Sequence, residues 1–202
     1  SPKAVRTAAQ ISFLFAAVIG LTLAIATSWW IILVGALAIN AAWGYTGGAN
    51  PYGYKGLGDI SVFLFFGIVA TTGSYFVQTE ELNLEIFIIA IPMGSLACAI
   101  LAINNLRDRA QDQIVGKRTL AVRLGDRGAR RLYIALLISA HIFALLTFKP
   151  AALITLLATP LTWSLARGVS RGVNGGDLIP YLAKTGKLQL VFAILFALGL
   201  AI

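Results

Sequence analysis

Residues 84–108 read LEIFIIAIPMGSLACAILAI-NNLRD, an apolar stretch that ends in tandem asparagines and then turns abruptly to charge. Its first part is as long as the helix of about 20 residues that crosses a hydrocarbon core of about 30 Å. Runs of similar character recur, and they predict helices at Thr7–Thr27, Trp29–Tyr45, Asp59–Gln78, Leu84–Ile103, Ala129–Phe148, Pro150–Arg167 and Lys187–Ile202. None carries a 3.6-residue apolar stripe of the kind that marks a helix lying on a water-soluble core. The expected fold is all-α, a multi-pass transmembrane helical bundle forming one domain over residues 1–202.

Composition argues the same way. The chain is 58% hydrophobic and 12% charged, against about 45–50% and about 25% in soluble domains, and its mean hydropathy is +0.84. Cys98 is the single cysteine and sits inside an apolar run, which excludes a disulfide framework and a cysteine zinc site. A single histidine, His141, excludes the usual His-rich metal sites. With no partner visible in the pattern, His141 reads as a helix–helix contact.

Charge placement predicts the orientation. With the N-terminus inside, the inside stretches are 1–6, 46–58, 104–131 and 167–187. They hold every one of the sixteen Lys and Arg residues except Lys149, as the positive-inside rule requires. The outside links are minimal: Ser28, residues 79–83, and residue 149. The net charge of +8 is therefore a record of topology at a membrane surface and no sign of a nucleic-acid partner. The partner is a lipid bilayer, expected to be the plasma membrane, and the long polar loops that carry function are expected on the cytoplasmic side.

Within those loops, Asn104, Asp108 and Asp112 are spaced i, i+4, i+8 and stack on one face where a helix continues beyond Ile103. Oxygen ligands at the mouth of a bundle suit Mg²⁺, which is held by one or two carboxylates plus substrate phosphates. Arg107 precedes, and Lys117 and Arg118 follow, as cations for phosphate oxygens. The same carboxylates also read as solvated charges paired with Arg107 and Arg109, and residue chemistry leaves both readings open. Residues 45–59, YTGGANPYGYKGLGD, supply five glycines for close backbone approach, three tyrosines, Lys55 and Asp59. They read either as an interfacial aromatic belt or as part of a cavity shared with Asp108.

Both stretches carry a resemblance. Tyr45–Gly48, Pro51–Tyr54, Gly56–Asp59, Val62–Gly67, Asn104–Asp108, Lys117–Gly125, Leu178–Pro180 and Thr185–Gly186 match in order and spacing a known family. The chain resembles the intramembrane aromatic prenyltransferases of the UbiA superfamily, in the branch that prenylates 1,4-dihydroxy-2-naphthoate in menaquinone biosynthesis. The resemblance implies nine transmembrane helices around a central cavity, of which these seven would be the third to the ninth. It also implies two acidic motifs facing each other across Mg²⁺ and a prenyl diphosphate. The second motif falls on Asn104, Asp108 and Asp112. The first has no counterpart in residues 1–202 and is expected upstream of Ser1, together with two helices, so that this chain alone would lack half of the metal site.

The implied reaction is Mg²⁺-dependent transfer of a polyprenyl group to the naphthoate ring with loss of its carboxylate as CO₂. Asp108 and Asp112 are the expected metal-binding catalytic residues, with Asn104 in support. Lys117, Arg118 and Arg107 are expected on the diphosphate, and Tyr45, Tyr54, Lys55 and Asp59 on the aromatic acceptor. Another aromatic acceptor is the nearest rival. A transporter would spread polar residues through the spans, whereas here charge collects at one end.

Topology is directly testable. In intact cells, cysteine introduced by Glu81→Cys should react with an impermeant thiol reagent and that from Arg127→Cys should not; the reverse pattern overturns the orientation.

Overall fold

Lipid offers a backbone N–H no partner but another backbone group, so a spanning segment closes its hydrogen bonds within a helix. The computed structural model describes residues 1–147 and 149–201; Phe148 and Ile202, each the last residue of an expected span, lie outside the described residues. Among those described there is no strand. The elements are α1 (Pro2–Ala26), α2 (Trp30–Thr46), α3 (Gly58–Thr79), α4 (Leu84–Ile114) and α5 (Leu120–Leu145). Then comes α6, a 3-10 stretch at Pro150–Ala158 continued as α-helix over Thr159–Ser170, and α7, a 3-10 turn at Gly175–Leu178 leading into Ile179–Ala201. Six of these are long and apolar enough to cross a membrane, and α2 is an apolar helix of 17 residues. The chain is a multi-pass membrane protein.

The expected spans are all present, but several helices outrun them. The helix expected to end at Ile103 runs to Ile114, and the one expected from Ala129 starts at Leu120, after the Thr119 hydroxyl accepts from the Val122 N–H at 3.4 Å. The last α-helix begins at Ile179 instead of Lys187. The long charged connections expected at 104–131 and 167–187 are therefore mostly helix, leaving the short links 115–119 and 171–174. Hydropathy marks where lipid stops, and Arg, Gln and Ala go on propagating a helix in water. At the other ends, α5 stops at Leu145 and breaks at Gly125 (φ 69°), α2 starts one residue late at Trp30, and the span expected from Pro150 opens as 3-10 helix.

Helix α4 is the axis of the bundle and packs on α3, α5 and α7. Leu96 and Ile103 of α4, Tyr133 and Leu137 of α5, and Leu188 and Phe192 of α7 are all buried in one core. The Tyr133 hydroxyl meets Thr185 Oγ1 at 2.7 Å, and Thr185 in turn donates to the Tyr181 carbonyl at 2.7 Å. Tyr133 is therefore the donor, and no polar atom of the pair is stranded. His141 makes the expected helix–helix contact, its Nε2 2.9 Å from Thr162 Oγ1 on α6.

The middle of α3, Phe63–Val69, is wound as a π-helix, and there α3 lies against α4 backbone to backbone. A Cβ on Gly67 would strike the main chain of Gly94, the small-residue contact by which membrane helices approach closely. By contrast α1 packs on α2 and leaves Leu14 and Phe15 each 65% exposed. Such a surface is untenable in water and ordinary in lipid.

One charged side chain is deeply built in. Arg130 of α5, 6% exposed, donates to Asp126 (2.7 and 3.0 Å), to the Val169 carbonyl (2.6 Å), to the Val173 carbonyl (2.9 Å) and to Asn174 Oδ1 (2.7 Å). It satisfies carbonyls that the end of α6 leaves open. Arg130→Ala should cost about 2–3 kcal/mol, read as a lowered thermal midpoint of the purified protein in detergent. An unchanged midpoint would show that water replaces the guanidinium.

Candidate functional site

The two polar stretches meet at one end of the bundle. The loop after α2 makes a 3-10 turn at Tyr52–Lys55, and the 115–119 link docks beside it. The Arg118 N–H donates to the Tyr54 carbonyl at 2.9 Å. Arg123 of α5 clamps the pair, its guanidinium donating to the Lys55 carbonyl at 2.7 Å and to the Arg118 carbonyl at 3.2 Å. Lys117 Nζ stands 3.2 Å from Asp112 Oδ1 and 5.5 Å from the centre of the Tyr54 ring. Tyr54, Lys117 and Asp112 thus form one contact set from three elements.

Asp112 is 6% exposed, and its second carboxylate oxygen, Oδ2, is buried without a hydrogen-bond partner. A buried carboxylate oxygen left open is costly unless a cation or donor reaches it. Asp108, one turn earlier on the same face of α4, is held by Arg107 in a bidentate pair at 2.7 Å on both oxygens. Arg109 faces Asp126 at 3.9 Å, away from the α4 carboxylates. Among the described residues no three His, Cys, Asp or Glu side chains gather as a metal cage. Two carboxylates and an amide oxygen along one helix face form an open, oxygen-only set. Oxygen donors of this kind suit Mg²⁺, which keeps waters and substrate phosphates in its other positions; Asp112 Oδ2 is itself closed off from solvent.

Two largely apolar cavities lie on the membrane side of this cluster. One, about 600 Å³, is walled by Val62 and Phe66 of α3, Ala97, Ile100 and Leu101 of α4, and Leu182 of α7; its polar members are Asn104 and Gln189. Asp108 and Asp112 follow Asn104 by about 6 and 12 Å of helix rise. The other, about 510 Å³, lies between α2 and α3 and is lined by Ala38, Ala42, Tyr45, Tyr52, Ser61, Phe65 and the same Val62 and Phe66. Tyr45 and Tyr52 meet edge to face at 5.5 Å, and the Tyr52 hydroxyl is held at 2.8 Å by both the Ala41 carbonyl and Ser61.

Of the residues singled out from sequence, Asn104 and Tyr45 line cavities, while Asp112, Lys117 and Tyr54 form the contact set beyond them, and Lys55 and Arg118 join it through their backbone. Arg107 is occupied by Asp108. Asp59, partly buried at the start of α3, lines neither cavity, and its carbonyl accepts from the Cys98 thiol at 3.1 Å. Sequence reasoning gave no role to Arg123, Ser61 or Gln189 and took Tyr52 only as one of the three tyrosines of its stretch. Gln189 did give a signal, as a lone amide between leucines where lipid would be expensive.

Residues 1–174 match the UbiA prenyltransferase family. The chain is 43% identical over 203 residues to a 1,4-dihydroxy-2-naphthoate octaprenyltransferase of Mycobacterium tuberculosis, covering 100% of this chain and 70% of that protein. It is 42% identical over 175 residues to the protein of the same name from Escherichia coli, covering 84% and 56%. A chicken protein named UbiA prenyltransferase domain-containing protein 1 is 32% identical over 165 residues, covering 80% and 48%.

The clamp at Arg123 is open to a simple test. Arg123→Ala should release the loop around Lys55 and raise tryptic cleavage there severalfold in detergent solution. Unchanged cleavage would mean that the Arg118–Tyr54 backbone bond alone holds the loop.

Proposed function

The chain belongs to the UbiA prenyltransferase family, and we propose that it moves a polyprenyl group from a prenyl diphosphate to 1,4-dihydroxy-2-naphthoate, a step of menaquinone biosynthesis. The observation that carries this reading is the apolar cavity ending at Asn104, with the carboxylates of Asp108 and Asp112 one and two turns beyond it on the same helix. A long apolar tail with a charged diphosphate head requires that sequence of surroundings.

In this proposal the prenyl chain lies in the apolar cavities, and its diphosphate sits at the charged end on Lys117, Arg118 and Arg107. Lys117 turns from Asp112 toward phosphate oxygen, and Arg107 is shared between Asp108 and the substrate. Asn104, Asp108 and Asp112 would hold Mg²⁺, which when bound neutralises the diphosphate as charge builds on it. Ionisation breaks the allylic C–O bond, and the electron pair leaves with diphosphate. Cationic side chains already in place favour that separation more than reorganising water does. The naphthoate ring carbon then bonds to the allylic carbon; the ring proton is lost there and one is regained where the carboxylate departs as CO₂. Tyr45, Tyr54, Lys55 and Asp59 are proposed to position this acceptor. Walls such as Val62 and Phe66 keep water from the cation.

We further propose that the charged end faces the cytoplasm of a plasma membrane, where both substrates' polar heads are accessible.

The test is prenyl transfer in membranes from cells expressing the full gene product, with labelled prenyl diphosphate, 1,4-dihydroxy-2-naphthoate and Mg²⁺. Asp108→Asn and Asp112→Asn should each lower turnover at least about a hundredfold while protein level holds, and chelation should abolish it. Near-normal rates in both variants overturn the diphosphate clamp; a product formed only with a benzoate or homogentisate acceptor overturns the naphthoate assignment.

A further inference from the structure

We infer that the charged end carries a second, separate site, between α6 and α7, for the phosphate headgroup of an anionic phospholipid. A concavity of about 430 Å³ there is lined by Trp163, Ser164, Arg167, Gly168, Arg171 and Tyr181. It shares no residue with either cavity of the proposed active site.

Ser164, Arg167, Gly168 and Arg171 are spaced i, i+3, i+4, i+7, so they present one face of α6. Gly168 is the floor. The Tyr181 ring of α7 lies where a Cβ would be, so any side chain at 168 would fill the concavity or push α7 away. Cations at this end fall in two groups, and those answered by no carboxylate among the described residues include Arg118, Arg127, Arg131 and Lys187 as well as the pair here. Arg107, Arg109, Lys117 and Arg130 each face a carboxylate. Among the described residues, Arg167 and Arg171 face none, and their guanidinium groups and the hydroxyl hydrogens of Ser164 and Tyr181 make no hydrogen bond. The site thus offers two guanidinium forks and two hydroxyl donors with no acid to answer them, which is the chemistry of phosphate recognition.

The surroundings favour a lipid over a free anion. Trp163, on the rim, is 67% exposed, and an indole at a charged helix end sits at headgroup level. Further along α6, away from the charged end, Leu157 and Leu153 are 70% and 57% exposed and supply apolar surface for acyl chains. Headgroup site and chain surface therefore follow one another along the same helix.

Native mass spectrometry of the purified protein, titrated with phosphatidylglycerol or phosphatidylcholine, tests the assignment. Two arginines at a membrane surface should give phosphatidylglycerol about a tenfold or greater preference at the tightest site. Arg167→Ala/Arg171→Ala should erase that preference. Arg127→Ala/Arg131→Ala, which removes two exposed cations elsewhere at this end, should leave it, and Arg167→Lys/Arg171→Lys should retain part of it. Equal loss in both alanine pairs would reduce the effect to net charge and overturn the site. So would the absence of any preference in the wild type. Displacement of the lipid by millimolar inorganic phosphate would show that the pocket takes a free anion, and the lipid assignment would fall.

Discussion

The helical backbone of α4, continuous from Leu84 to Ile114 apart from the one N–H that Pro92 lacks, is what the rest of the molecule depends on. Inside the membrane that ladder is compulsory, because no other partner exists for the peptide groups. Beyond Ile103 it is optional, yet it persists. Ala99, Ile103 and Leu106 remain in the core across the boundary, packed against α5 and α7. One rigid rod therefore sets the floor of the apolar cavity and carries Asn104, Asp108 and Asp112 out of it in fixed register. A loop starting at Asn104 would leave the spacing of those oxygens undefined.

The charged end is organised around carbonyls as much as carboxylates. Arg130 collects the open carbonyls at the end of α6, and Arg123 collects two from the loop and the link. Cations used in this way brace irregular backbone near the membrane surface, where its polar groups would otherwise need water. The remaining cations are arranged differently. Lys117 is shared between a carboxylate and an aromatic face.

Fold class and the apolar helices were legible because lipid imposes one rule on every segment, although six of the seven expected spans are long and apolar enough to cross a membrane. The helix ends were not, since the composition of 104–131 and 167–187 records exposure to water and is silent about backbone winding. At the site, the i, i+4, i+8 oxygens were readable from local spacing alone. The juxtaposition of Tyr54 with Lys117, separated by sixty-odd residues, was visible only as two motifs of one resemblance. Arg123 and Arg130 were counted as topological charge, because nothing in a sequence marks a guanidinium that will meet distant carbonyls. The π-helical turn of α3 had no signal either, and neither did the close contact of Gly67 with Gly94 that it contains.

That contact also bears on where the proposed chemistry can happen. Drawing α3 onto α4 at Gly67 fixes the preceding turn, and Val62 and Phe66 on that turn wall both cavities at once. A π-helical turn is wider than an α-turn and redirects side chains relative to those on either side, so one short segment can face two compartments. On the proposed reading, the cavity reaching Asn104 leads to the diphosphate, and the one lined by Tyr45 and Tyr52 offers an aromatic, hydroxyl-bearing wall. Carbon–carbon bond formation then belongs beside Val62 and Phe66, the residues common to both. These side chains carry no nucleophile to trap an allylic cation and no polar atom to order water. The segment is defined by what it withholds from the cation, while the charged residues that release it stand turns away along α4.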